Sequence, residues 1–275
     1  MIRIRSFTFL LALFFCFSMY GQSDSTQKKQ KLHQRVYYDV SHAVKAVVYV
    51  YKKPFSWKAK EWKTFGTIMG ASVAVSFLDE PINDYFEKNK THFQDQVADF
   101  GDFMGQPEYQ GPLLIGLWGL GIAADNEWLR TTSTMLAASM AASGLVQTFG
   151  KDVVGRARPS KAEGNTAFKP FGGKNYHSFP SGHTMLSISS SWILARQVKS
   201  LPLKITFYAI PAVVGWSRLY DNAHWFSDII LGSALGIASA EAVIQYYSSI
   251  KKKGNDQAGL TILPKGNGVS LAYRF

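Results

Sequence analysis

The 275-residue chain has a single cysteine, Cys16, which cannot form an internal disulfide. No Cys/His spacing of the zinc-binding type occurs, so a metal staple is not expected either. Acidic residues are scarce, 19 Asp and Glu against 30 Lys and Arg, which leaves a formal net charge of +11. Recognition-helix and zinc-finger patterns are missing, and the basic residues are scattered through short loops. Nucleic acid is therefore the weakest reading of that charge. Anionic lipid or phosphorylated substrates fit it better. The central region lacks the alternating pattern of a half-buried strand, and no internal repeat is evident. What the chain has in abundance is apolar surface: 47% hydrophobic residues exclude disorder as its overall class.

The N-terminus places Arg3 and Arg5 before an apolar run from Phe7 to Tyr20, then Gly21 and a polar stretch. A basic start, a short apolar centre and a small residue at the exit describe a secretory signal, with an uncleaved anchor as the alternative. Bulky Phe15 argues against lipoprotein cleavage at Cys16. We divide the chain into a signal or anchor at 1–21, a polar linker and amphipathic helix at 22–57, a helical domain at 58–250, and a basic tail with a hairpin at 251–275. In the second part, Val36, Val40, Ala43, Val44, Val47, Val48 and Tyr51 recur at helical spacing. Such a helix can lie on a membrane surface or pack on the main domain.

Six apolar segments follow, at 64–78, 112–124, 133–149, 184–197, 203–217 and 228–247, each rich in Ala, Gly, Ser and Leu. They predict an all-α bundle of six core helices. After it, Leu260–Leu263 and Val269–Phe275 read as two short strands around a Pro-Lys-Gly-Asn-Gly turn, a C-terminal β-hairpin. Several apolar segments fall short of the ~20 residues that a spanning helix needs. Were they to span, Lys58, Lys60, Lys63, Arg130, Arg196, Lys199, Lys204 and Lys251–Lys253 would lie inside and the motifs described next outside. A cleaved signal would put the first span on the wrong side. The reading favoured is an exported, membrane-associated domain with its site facing the periplasm.

Three clusters carry chemistry: Lys151 with Arg158-Pro159; Pro180-Ser181-Gly182-His183; and Ser217-Arg218 with His224 and Asp228. Three cations, two imidazoles, a carboxylate and a glycine-flanked serine suit the grip of a tetrahedral oxyanion. Phosphoryl transfer depends mainly on such positioning and charge stabilisation. One imidazole can attack phosphorus while the other protonates the departing oxygen.

In order and spacing these clusters resemble the three-part signature of the type 2 phosphatidic acid phosphatase and vanadium haloperoxidase superfamily, over about residues 60 to 250. The resemblance implies a helical bundle whose second motif opens the fourth core helix. It implies His224 as nucleophile forming a phosphohistidine, and His183 as the acid that protonates the leaving oxygen. Asp228, four residues beyond His224, would accept a bond from its imidazole and fix the tautomer. Lys151, Arg158 and Arg218 would clamp the phosphate. Ser181 and the Gly182 N–H would add donors at a helix start. One histidine neutral and the other protonated predicts a bell-shaped pH–rate profile.

The expected function is metal-independent hydrolysis of a phosphate monoester or diphosphate. The expected substrate is a lipid such as phosphatidic acid, phosphatidylglycerol phosphate, undecaprenyl diphosphate or a lipid A phosphate. No cofactor is expected. The alternatives are a nonspecific exported acid phosphatase, a vanadium-dependent haloperoxidase holding vanadate in the same cradle, and an idle lipid-phosphate-binding protein. Outside the motifs, Arg156 and the row Asp95, Asp99 and Asp102 read as solvated charge. His177 reads as a loop residue, Ser217 as structural, and Trp118 and Trp225 as core or interface anchors.

Overall fold

A computed structural model describes residues 31–256, 260–265 and 268–273. The expected signal, with Cys16, and the first part of the linker lie outside them. The described residues form an all-helical bundle: α1 (Leu32–Lys52), α2 (Ala59–Val75), α3 (Asp79–Lys88), α4 (His92–Gly105), α5 (Pro107–Ala123), α6 (Glu127–Val154), α7 (Gly182–Gln197), α8 (Leu201–Tyr220) and α9 (Phe226–Asp256). Beyond them Leu260–Lys265 runs antiparallel to Gly268–Tyr273, with Leu260 opposite Tyr273.

The helices α6, α7, α8 and α9 make the centre. α7 packs on α6, α8 and α9, while α4 lies along α8 and α5 along α6. Met135, Leu136, Met185, Ile193, Val214 and Val243 are fully buried between them. Ala138, Ser139, Ala142 and Ser143 on α6 are also buried, and their small size lets neighbouring helices approach closely. α6 starts at Asn126, whose side chain accepts from the Leu129 N–H at 2.9 Å. It ends at Gly155 in the left-handed region (φ 57°), where a Cβ would stand 2.0 Å from the Lys169 carbonyl oxygen. That cap turns the chain sharply into the loop carrying Arg156 and Arg158.

The amphipathic segment is α1, and it is packed on α6 and α9. Its polar Asp39 is 4% exposed and accepts from Arg130 Nη2 (2.9 Å), Arg130 Nε (3.0 Å) and Trp118 Nε1 (2.8 Å). α3 and α4 fall outside the six apolar segments because their sequences are largely polar. Both nonetheless reach the site.

Among the described residues one stretch, Phe226–Lys252 on α9, is long and apolar enough to cross a membrane. On the outside of the bundle Ile115, Leu120, Leu145, Phe149 and Ile205 are exposed apolar side chains.

Candidate active site

The three motifs converge at one end of α6–α9. Lys151 sits on the last turn of α6 and Arg158 in the loop after it. His183 sits on the first turn of α7, Arg218 on the last turn of α8, and His224 in the turn between α8 and α9. His224 and Asp228 are buried, Arg218 is 5% exposed, and the His183 side chain is about a quarter exposed. Lys151, Arg158 and His183 lie close enough to His224 to act on its charge.

His224 Nδ1 lies 2.5 Å from the backbone carbonyl oxygen of Ser178. A carbonyl can only accept, so Nδ1 carries the ring proton and Nε2 is left with its lone pair. This corrects the role expected of Asp228, which stands 4.0 Å from His224 Nδ1. His224 precedes α9, so four-residue spacing does not place the two on one helical face. Asp228 instead accepts from Ser178 Oγ at 2.6 Å and from the Trp225 N–H at 2.9 Å. It therefore fixes His224 indirectly, by pinning the residue whose carbonyl holds the ring.

The group holding Asp228 was not foreseen. Arg156 is 4% exposed and donates through Nη1 to Asp228 Oδ1 (2.6 Å) and Ser227 Oγ (2.8 Å). It also donates through Nη2 to Asp79 Oδ2 (2.7 Å) and through Nε to the Asn165 carbonyl (2.9 Å). Asp79, at the start of α3, also accepts from Ser227 N and Oγ. The guanidinium lies over Trp225, whose indole donates to the Ala157 carbonyl at 2.8 Å. Arg156 is thus a buried strut, not a solvated loop charge.

The remaining expected residues fall as follows. Ser181 is fully buried, its hydroxyl 2.9 Å from Thr184 Oγ1 and its N–H donating to the Asp228 carbonyl. Its side chain thus serves the start of α7. Gly182 opens α7 against the Gln147 amide. Arg158 donates to the Ala223 carbonyl at 3.4 Å. Ser217 is buried and donates to the Val214 carbonyl. His177 pairs with Asp152 at 3.1 Å, beside the motifs. Asp102, expected in solvent, stands 2.6 Å from Arg218 Nη1 and 3.5 Å from His183 Nε2.

Residues 133–252 match the PAP2 superfamily. The match takes in less than half of the chain. It contains all three motifs, whereas Asp79 and Asp102 lie outside it. Among curated proteins, the lipid A 1-phosphatase of Rhizobium johnstonii is 34% identical over 97 residues, covering 34% of this chain and 39% of that protein. The lipid A 1-phosphatase of Porphyromonas gingivalis is 30% identical over 107 residues, covering 38% of this chain and 21% of that protein. The chain thus spans less than half the length of these relatives. Among solved structures, the transmembrane PAP2-type phosphatidylglycerolphosphate phosphatase of Bacillus subtilis superposes with a TM-score of 0.51. It is 19% identical, and the match covers 78% of this chain and 98% of that one. The likeness is one of fold.

Charge in this site is strongly one-sided. Burial, then Arg158, pushes Lys151 down to about 8, with Asp152 opposing. Burial, then Arg158, Lys151 and His183, holds His224 well below the usual histidine range, so its ring is neutral. Burial and Arg218 push His183 down to about 4, against the pull of Asp102. Burial and these cations thus oppose the protonated His183 that the motifs lead one to expect. A phosphate dianion held there would offset those cations and favour that proton.

For Lys151 the sign is simple: the cation is present below its shifted value and lost as pH rises through about 8. KM for a phosphate monoester is expected to climb above that pH as one of three clamp charges disappears. A KM flat to the ordinary lysine value of 10.5 contradicts this clamp assignment.

Proposed function

We propose that the protein is a metal-independent phosphatase that hydrolyses the phosphate monoester or diphosphate of a lipid through a phosphohistidine at His224. The carrying observation is the Ser178 carbonyl on Nδ1, which leaves a neutral Nε2 beside Lys151 and Arg158. Nε2 attacks phosphorus, and the bond from phosphorus to the lipid oxygen breaks. The leaving oxygen takes the electron pair of that bond and a proton from His183. Water then attacks phosphorus and gives a proton to His183, the phosphorus–nitrogen bond breaks with its electron pair returning to His224 Nε2, and inorganic phosphate departs. Lys151, Arg158 and Arg218 neutralise the equatorial oxygens, the task a metal performs in other phosphoryl-transfer enzymes. The Gly182 N–H, at the start of α7, adds a donor to that clamp.

The lipid reading draws on the relatives' names and on the exposed apolar side chains of the bundle. Among lipids, the relatives favour a phosphate of lipid A. The domain acts in an exported, membrane-associated setting with the site facing the periplasm.

The test is phosphate release from lipid A, phosphatidic acid, phosphatidylglycerol phosphate, undecaprenyl diphosphate and a soluble monoester, each with and without EDTA. Release from a lipid, unchanged by EDTA, is expected. Release from the soluble monoester alone would replace the lipid reading with a nonspecific phosphatase. Activity lost with EDTA and restored by a divalent metal would overturn the metal-independent mechanism.

A further inference from the structure

Asp102 lies outside the segment matched to the PAP2 superfamily, yet it touches two residues inside it. Its position is built by the helix that carries it. Gly101 and Gly105 bracket Asp102 on α4, and both face α7 and α8 at contact. A Cβ on Gly101 would stand 2.7 Å from Ser217 Cβ, and one on Gly105 2.9 Å from His183 Cβ. α4 can lie this close only because both residues lack side chains. The side chain between them is thereby delivered to Arg218 Nη1 at 2.6 Å and His183 Nε2 at 3.5 Å. Gln106 donates to its second carboxylate oxygen. The other Arg218 nitrogens are also engaged, Nη2 by Asp221 at 2.7 Å and Nε by Ser217 Oγ at 3.2 Å.

We propose that Asp102 is the positioning carboxylate of His183 and the internal counter-ion that substrate phosphate must oppose at Arg218. While the site is empty, Asp102 neutralises Arg218. When phosphate enters and His183 gains its proton, Asp102 accepts the Nε2–H, leaving Nδ1–H to face the leaving oxygen. The logic is that of a carboxylate orienting a catalytic imidazole. Asp102 stays ionised throughout, and the proton that reaches the leaving oxygen comes from His183. The proposal rests on His183 acting as the acid of the phosphatase reading.

The charges around His183 agree with this. Arg218 from α8, Lys151 from α6 and Arg158 from the following loop all disfavour its protonation, and His224 faces it from the next turn. Asp102 is the one group among these that favours it. Asp221 adds negative charge on the far side of Arg218, and Asp99 lies near it, one turn before Asp102 on α4.

The test is Asp102→Asn in the full chain, an isosteric change at a side chain 32% exposed. Asp99→Asn is the control, removing an exposed charge one turn away. For Asp102→Asn, kcat is expected to fall at least about tenfold. The high-pH limb of its rate profile is expected to move down by about one unit, because His183 loses its favouring charge. Inorganic phosphate, followed by calorimetry, is expected to bind roughly tenfold tighter, because a like charge has left the clamp. Asp99→Asn should leave all three near wild type.

A merely structural Asp102 would loosen Arg218 and weaken phosphate binding, and that result overturns the proposal. So does an unmoved high-pH limb, or equal effects of both variants. Absence of phosphate release from wild-type protein would sink the phosphatase reading instead, while the calorimetric comparison would still decide what Asp102 does at Arg218.

Discussion

His224→Ala is expected to lower kcat for phosphate release by a factor on the order of 10⁶, as removal of a nucleophile does elsewhere. KM should change far less, because the clamp of Lys151, Arg158 and Arg218 remains. The ring is 2% exposed, so alanine also leaves a cavity and strips the Ser178 carbonyl of its donor. Loss by misfolding and loss of the nucleophile separate on addition of free imidazole. Imidazole can occupy the vacated space and attack phosphorus itself, so partial recovery of turnover is expected. A variant that retains a tenth of wild-type kcat, with intact thermal unfolding, contradicts the assignment.

Arg156→Met is expected to be the most destabilising single change in the site. Asp79 and Asp228 are both nearly inaccessible to solvent, and each relies on this guanidinium for its charge partner. Breaking a buried ion pair from one side costs about 3–5 kcal/mol, because the opposite charge is left uncompensated. Here two carboxylates are left so. Asp228 can then no longer hold Ser178, and the Ser178 carbonyl no longer fixes His224. Activity per folded molecule should therefore fall together with stability. Arg156→Lys keeps the charge but cannot serve Asp228, Ser227, Asp79 and the Asn165 carbonyl at once. It should fall between wild type and Arg156→Met on thermal unfolding. A loss below about 1 kcal/mol for Arg156→Met, the level of an exposed pair, would mean the strut carries no load.

Both predictions turn on residues that the sequence revealed unequally. The helical class and the gathering of Lys151, Arg158, His183, Arg218 and His224 were legible, because fixed linear spacings bring them to one end of consecutive helices. Arg156 was not. A charged residue in a loop resembles solvated charge until its partners are known, and Asp79 and Asp228 lie far away in sequence. Its place two residues before Arg158, inside the first motif, was the available hint.

Asp102 was lost to the same prior. Asp95, Asp99 and Asp102 follow one face of α4, and that pattern describes a wet surface unless something brings the face inward. Gly101 and Gly105 do so, and small residues four apart beside a carboxylate were the readable sign. Asp228 was misjudged for a different reason. The i, i+4 argument assumes a continuous helix, and the chain between His224 and Asp228 enters α9 only at Phe226.

The most direct test of the account is to trap the covalent intermediate. Enzyme mixed with a ³²P-labelled phosphate substrate and quenched in base within one turnover should carry label that is stable to alkali and released by acid. Peptide mapping should place that label at His224, and His224→Ala should carry none. Label on a serine or on His183, or phosphate release with no labelled protein at any quench time, would contradict the phosphohistidine mechanism.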